Sequence, residues 1–276
     1  MSRILNIVVN YKNEDEVIDY SKQLFNQNNS ENLVLIVVNN VLKDRTIKQF
    51  ENQLKAVNMD QIYLYNANDN LGYLGAAIYG YNTFISEKHN FKWDWIIISN
   101  TDIQYKQVEF FETFFDEKYS KDVWWIGPSV YNSATKAYDN PKYIDRISNK
   151  KMKRLLIINK SGLFAAVYIL LGKIKKSSLR RTKTESEFVY ALQGCYFVLR
   201  KEFMDLIKDV NYEGFLFSEE SYLGEMLLEN NKKAYYNSNV EIVHNENTST
   251  GGLSNRARAK YYYKSLKKVY SRFYKK

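Results

Sequence analysis

Apolar positions in the first hundred residues follow two alternating rhythms. Short unbroken runs rich in β-branched residues, at 4–9, 33–38, 62–65 and 95–99, predict buried strands. Between them the apolar residues return at helical spacing. Val17, Ile18, Tyr20, Leu24 and Phe25 do so within 13–25, a second helix fits 47–57, and Asn70-Leu71-Gly72 opens a third that runs to about Ser86. Strand and helix in regular alternation predict a Rossmann-like, mostly parallel sheet with helices on both faces. Ligands bind such sheets beyond the carboxyl ends of the strands. Those ends carry Asn10-Tyr11, Asn39-Asn40, Asn66 to Asn70, and Asn100-Thr101-Asp102.

The second half changes character. A helix is expected over 108–119, strands over 123–127 and 193–200, a short helix over 202–208, and a strand over 233–243. Tyr222, Leu223, Met226 and Leu227 line one side of a helix over 219–230. No internal repeat is evident.

Composition narrows the class. With 276 residues, 45% hydrophobic and 16% aromatic, the chain is neither disordered nor low-complexity. Its single cysteine, Cys195, excludes an intrachain disulfide and a cysteine-rich zinc site. The formal charge of +9 is unevenly placed. Residues 146–184 hold 12 basic residues and no acid, and residues 247–276 hold 9 and no acid. They supply 21 of the 40 Lys and Arg, leaving 19 basic against 31 acidic residues, a balance of −12. The chain thus reads as an acidic body, 1–252, with a basic insertion at 146–184 and a basic aromatic tail at 253–276.

The insertion contains a largely apolar 18-residue stretch, 155–172, interrupted by Asn159 and Lys160 and at the lower limit for a membrane span. It reads as one or two amphipathic helices lying on an anionic membrane, the alternatives being a buried helix with solvated basic ends or a span. In the tail, Tyr262, Leu266, Val269 and Phe273 share one side of a helix, and Tyr suits the membrane–water boundary. Single-stranded nucleic acid could also stack there, but the acidic body argues against it. No signal peptide is expected, since Met1-Ser2-Arg3 leads straight into a strand.

Three places could carry chemistry. Asp102, just past a buried strand, points a carboxylate at the crevice, where it suits Mg²⁺ or Mn²⁺ or caps a turn. Glu219-Glu220 opens a helix, where acids are stabilised by the dipole or one serves as general base. Ser218 does not form a capping box with them, because Ser221 stands where the acid would be. His244 ends a strand before a polar loop closed by Gly251-Gly252, and His binds metal or phosphate oxygen. His89 sits in a polar stretch and reads as solvated. Dinucleotide, P-loop, serine-hydrolase and zincin motifs are absent.

In this order the pieces resemble glycosyltransferase family 2, the inverting enzymes of the GT-A fold. The resemblance is strongest to the rhamnosyltransferase-like members that build bacterial capsule and cell-wall polysaccharides, and it covers about residues 4–252. Asn10-Tyr11 resembles the strand end that touches the nucleotide. Val37-Val38-Asn39-Asn40 lies where the family writes V-D-N, so Asn39 replaces an acid. Asn70-Leu71-Gly72-Tyr73 resembles the turn after the third strand, and Asn100-Thr101-Asp102 keeps only the last acid of the D-x-D motif. Gly194-Cys195 matches the strand behind the acceptor site. Glu219-Glu220 matches the family's acidic pair, whose second member is the base, and His244 with Ser249-Thr250-Gly251 resembles the family's closing motif.

The resemblance implies a UDP- or dTDP-sugar donor, a divalent metal (Mg²⁺ or Mn²⁺) on Asp102 and His244, and Glu220 or Glu219 as base. The two basic aromatic segments add the expectation of a hydroxyl acceptor on a lipid-linked or growing polysaccharide at the cytoplasmic face of the membrane, without nucleic acid. Homo-oligomerisation is left open. A single acidic pair favours transfer over hydrolysis, which needs two acids flanking the bond. The departures at Asn39 and Asn100 leave a degenerate binding module as the rival reading. A nucleic-acid-binding protein is the more distant one.

Overall fold

The computed structural model describes residues 3–40, 47–88, 91–161, 182–209, 214–245 and 254–275. The first half follows the expected alternation: β1 (Ile4–Asn10), α1 (Glu14–Phe25), β2 (Leu33–Asn39), α2 (Ile47–Val57), β3 (Ile62–Asn66), α3 (Tyr73–Glu87) and β4 (Trp95–Ser99). The second half adds β5 (Ile103–Tyr105), α4 (Phe110–Asp116), β6 (Val123–Asn132), β7 (Ala137–Tyr138) and α5 (Asn149–Lys160). Then follow β8 (Glu187–Val189), β9 (Tyr196–Arg200), α6 (Lys201–Lys208), α7 (Glu219–Glu229), β10 (Lys233–His244) and α8 (Asn255–Val269), which runs into a π turn at Tyr270–Tyr274.

Among the described residues ten strands join one sheet, ordered β3-β2-β1-β4-β9-β6-β10-β5, with β7 on β6 and β8 on β10. The pairs β3-β2, β2-β1, β1-β4 and β6-β10 are parallel, while β9 and β5 run antiparallel to their neighbours. Both faces are covered, which is why these strands read as unbroken apolar runs. Alternate residues serve two cores. Leu5, Ile7, Ile36, Val38, Ile96 and Ile98 join α3, α6, α7 and α8. Ile4, Val8, Leu35, Val37, Trp95 and Ile97 join α1, α2 and α4. Small residues let α3 lie close on the sheet: a Cβ on Gly80 would stand 2.4 Å from Val38 Cγ2.

The two basic segments meet. α5 is capped by Ser148, whose hydroxyl accepts from Lys151 N, and turns Met152, Leu155 and Asn159 inward against α8. The apolar side read for the tail exists, and it is spent inside the protein. Leu266, Val269 and Phe273 are buried in the core with α7. Arg272 donates to Tyr222 Oη at 2.9 Å, and Arg146 grips Glu225 with two hydrogen bonds of 2.8 and 2.9 Å. The tail helix is therefore integral to the body. The remainder of the 155–172 run beyond Ser161, the cations from Lys173 to Arg181, His89 and Ser249-Thr250-Gly251 lie outside the described residues. Among the described residues no helix is long and apolar enough to cross a membrane.

Candidate active site

Beyond the carboxyl ends of β1, β2 and β4 lies a cavity of about 450 Å³, within the range of small-ligand sites. Tyr11, Asn70, Gly72, Asn100, Thr101, Asp102, Glu219, Glu220 and His244 all line it. Residues expected from five separate stretches of sequence thus converge.

Pairing of strands explains how Asp102 and His244 meet. β10 runs antiparallel to β5 with His244 opposite Ile103, so the ring falls beside the residue that precedes β5. His244 Nε2 lies 3.4 Å from Asp102 Oδ1 and 3.4 Å from Asn100 Nδ2. Asn245 N donates to the Asp102 carbonyl at 3.0 Å, which fixes the two chain segments together. A carboxylate and an imidazole make two donors for a divalent cation. That number suits a cation completed by phosphate oxygens and water. No cluster of three or more His, Cys, Asp or Glu able to hold a metal exists among the described residues.

Asn10 and Asn39, expected against the nucleotide, take a different place. Strand register sets Asn10 beside Asn39 and Asn39 beside Asn66. Their amides form a ladder, Asn10 Nδ2 donating to Asn39 Oδ1 at 3.0 Å and Asn39 Nδ2 to Asn66 Oδ1 at 2.9 Å. Both Asn10 and Asn39 are buried and do not line the cavity. The next residue, Asn40, does. It donates to Asn70 Oδ1 at 2.9 Å and to the Gly72 carbonyl at 3.0 Å, and accepts from Leu71 N. The doubled Asn at 39–40 was the available signal, since the sheet's alternation sends adjacent residues opposite ways.

Gly72 has φ +73, and a Cβ there would stand 1.9 Å from the Phe215 carbonyl oxygen. Gly72→Ala is therefore expected to cost at least about 2 kcal/mol, from left-handed backbone plus backbone overlap, read as a lowered urea midpoint with unchanged m-value.

The acidic pair is delivered by a strained turn. Phe217 and Ser218 both have positive φ, 68 and 69, directly before α7. Ser218 stands at the N-cap position, but its side chain makes no capping hydrogen bond. Its buried hydroxyl and that of Tyr73, both lining the cavity, lack hydrogen-bond partners among the described residues. Buried polar atoms are ordinarily satisfied, so these two are suited to a ligand.

Glu220 lies 3.4 Å from Lys142 Nζ, which also donates to Gln193 Oε1 at 3.0 Å. Burial opposes the Lys142 charge, but the Glu220 carboxylate outweighs it and keeps the ammonium protonated. Gly194 leaves the room for Glu220, since a Cβ there would stand 3.0 Å from Oε1. Glu219 is pushed up to about 8, first by burial and then by the Glu220 charge. Burial likewise pushes the Cys195 thiol up, which disfavours a thiolate nucleophile. Lys142 and Gln193 escaped sequence reading because both sit in irregular loops without a motif.

Glu219 also gives a pH prediction. Its folded value lies above the ordinary carboxylate value of 4.5, so the folded state holds a proton that the unfolded state has lost. Stability is expected to fall as pH rises from 4.5 to about 8 and then to level. Glu219→Gln should remove that slope, matching the parent at acid pH and exceeding it above the Glu219 titration by a few kcal/mol, measured by urea unfolding across pH.

No protein-family model matches the sequence, and no curated protein matches it. Solved structures do match the fold. The mannosyltransferase PcManGT from Pyrobaculum calidifontis, in complex with GDP-Man and Mn²⁺, superposes over 88% of this chain and 56% of its own, with TM-score 0.53 and 11% identity. GalNAc-T7, with UDP, GalNAc and Mn²⁺, covers 98% of this chain and 48% of its own, with TM-score 0.58 and 10% identity. The fold is GT-A. The chain spans about half the length of these two GT-A chains.

Proposed function

We propose that the protein is a glycosyltransferase that moves a sugar from a nucleoside-diphosphate donor to an acceptor hydroxyl with inversion. One observation carries this: in a GT-A fold, the Asp102–His244 pair and the Glu219–Glu220 pair line the same cavity. Asp102 and His244 would hold a divalent cation, Mg²⁺ or Mn²⁺, which supplies positive charge against the leaving diphosphate. Glu220 removes the proton of the acceptor hydroxyl as its oxygen attacks the anomeric carbon from the side opposite the departing diphosphate. One displacement needs one base and no protein nucleophile. Glu219, holding a proton near neutral pH, spares the pair a second negative charge, and Lys142 holds Glu220 in place. Tyr11, Asn40, Asn70 and Thr101 are the contacts for the nucleotide.

The donor is read as a UDP- or dTDP-sugar. The acceptor is read as a lipid-linked or growing polysaccharide, from the two basic aromatic segments. Thermal unfolding with UDP, dTDP and GDP, each with and without Mn²⁺, tests the donor site. A metal-dependent rise in midpoint with at least one of them is expected. Absence of any rise would sink the reading, and a rise without turnover of any nucleotide sugar would point to a degenerate binding module.

A further inference from the structure

One face of α5 is built differently from an ordinary solvated helix. Its inner stripe, Met152, Leu155 and Asn159, is buried. Its outer stripe runs Lys150, Lys153, Arg154, Ile157 and Ile158, at i, i+3, i+4, i+7 and i+8, a single helix face. With Asn149 these residues line a shallow surface cleft. Ile157 is 69% exposed. Residues 146–161 contain no acid. A helix that merely faced water would carry polar residues along this stripe. Here three cations are followed by two isoleucines.

We infer that the outer face of α5 is a docking surface for an anionic phospholipid bilayer. Lys150, Lys153 and Arg154 meet lipid phosphates, and Ile157 and Ile158 enter the boundary of the acyl region. Other partners fit less well. Single-stranded nucleic acid is held by aromatic stacking between cations, and the stripe has no aromatic residue. A second copy would set cations against cations. The tail helix, although as basic, spends its apolar side on the core and contributes no apolar face outward. α8 packs on α5 and carries Tyr261 and Tyr262 to the cavity, so the docked face and the active-site wall share one helix pair. The inference does not depend on glycosyl transfer.

Flotation of the full chain with phosphatidylcholine vesicles, with and without phosphatidylglycerol, tests it. Binding is expected only with phosphatidylglycerol. Each cation is worth roughly fivefold, so Lys153→Ala with Arg154→Ala should weaken binding about 25-fold. Ile157→Ser should weaken it further and Ile157→Trp strengthen it, with thermal unfolding unchanged because the positions are on the surface. Vesicle binding that survives both losses overturns the proposal. So does absence of vesicle binding, whether or not the chain binds a single-stranded RNA probe through the same residues.

Discussion

Glu220→Gln is expected to lower transfer by about 10²–10⁴-fold, the usual worth of a positioned general base. The glutamine keeps the shape and the hydrogen bond to Lys142 but cannot accept the acceptor's proton. The loss should fall on kcat, with the donor's protection against thermal unfolding unchanged, because Glu220 acts on the other substrate. Lys142 separates this from a structural effect. Lys142→Met, which leaves the Glu220 carboxylate without the ammonium 3.4 Å away, should lower kcat with the donor's thermal protection unchanged, while Lys142→Arg should largely restore it. A Glu220→Gln protein with parental turnover would assign the proton transfer elsewhere.

Asp102→Asn is expected to act on the donor instead. Asparagine retains the volume and an acceptor oxygen but carries no charge for a divalent cation. Removing a charge that stabilises the departing diphosphate is worth roughly 4 kcal/mol, about 10³-fold in kcat/KM. The Mn²⁺-dependent part of the thermal shift with nucleoside diphosphates should disappear together with activity. His244→Gln should show the same pattern more weakly, since an imidazole brings no formal charge. Retention of the Mn²⁺-dependent shift in Asp102→Asn would show that the cation, if bound, sits elsewhere.

The fold was legible where local chemistry decides it. The runs at β1, β2 and β4 are apolar because both faces of the sheet are covered, and sequence reading placed them within a residue. β5, β7 and β8 were not legible. They have two or three residues each, and their partners on β10 and β6 rather than their own composition make them strands. α4 ends at Asp116, short of the expected 119, because Glu117 turns extended. In the site, Asp102, Glu219, Glu220 and His244 were legible only through the order of their motifs along the chain, since charged residues stand at many other element ends; all four line the cavity. Asn10 and Asn39 lie behind the cavity wall for a cross-strand reason. Register pairs their amides in a ladder, which no single strand encodes. Lys142 was invisible because its importance depends on Glu220, 78 positions later in the chain.

The seating of the last helix has a consequence for synthesis. Tyr261 and Tyr262 complete the cavity wall, and Leu266, Val269 and Phe273 close the core over α7. All are made after every other residue of the site. While they remain in the ribosome, Tyr222 and Met226 have no cover from that side, and the nascent chain exposes apolar surface beside an unfinished pocket. Stalled chains that stop before α8 should therefore engage chaperones and bind no donor, and both properties should reverse together once the tail helix emerges.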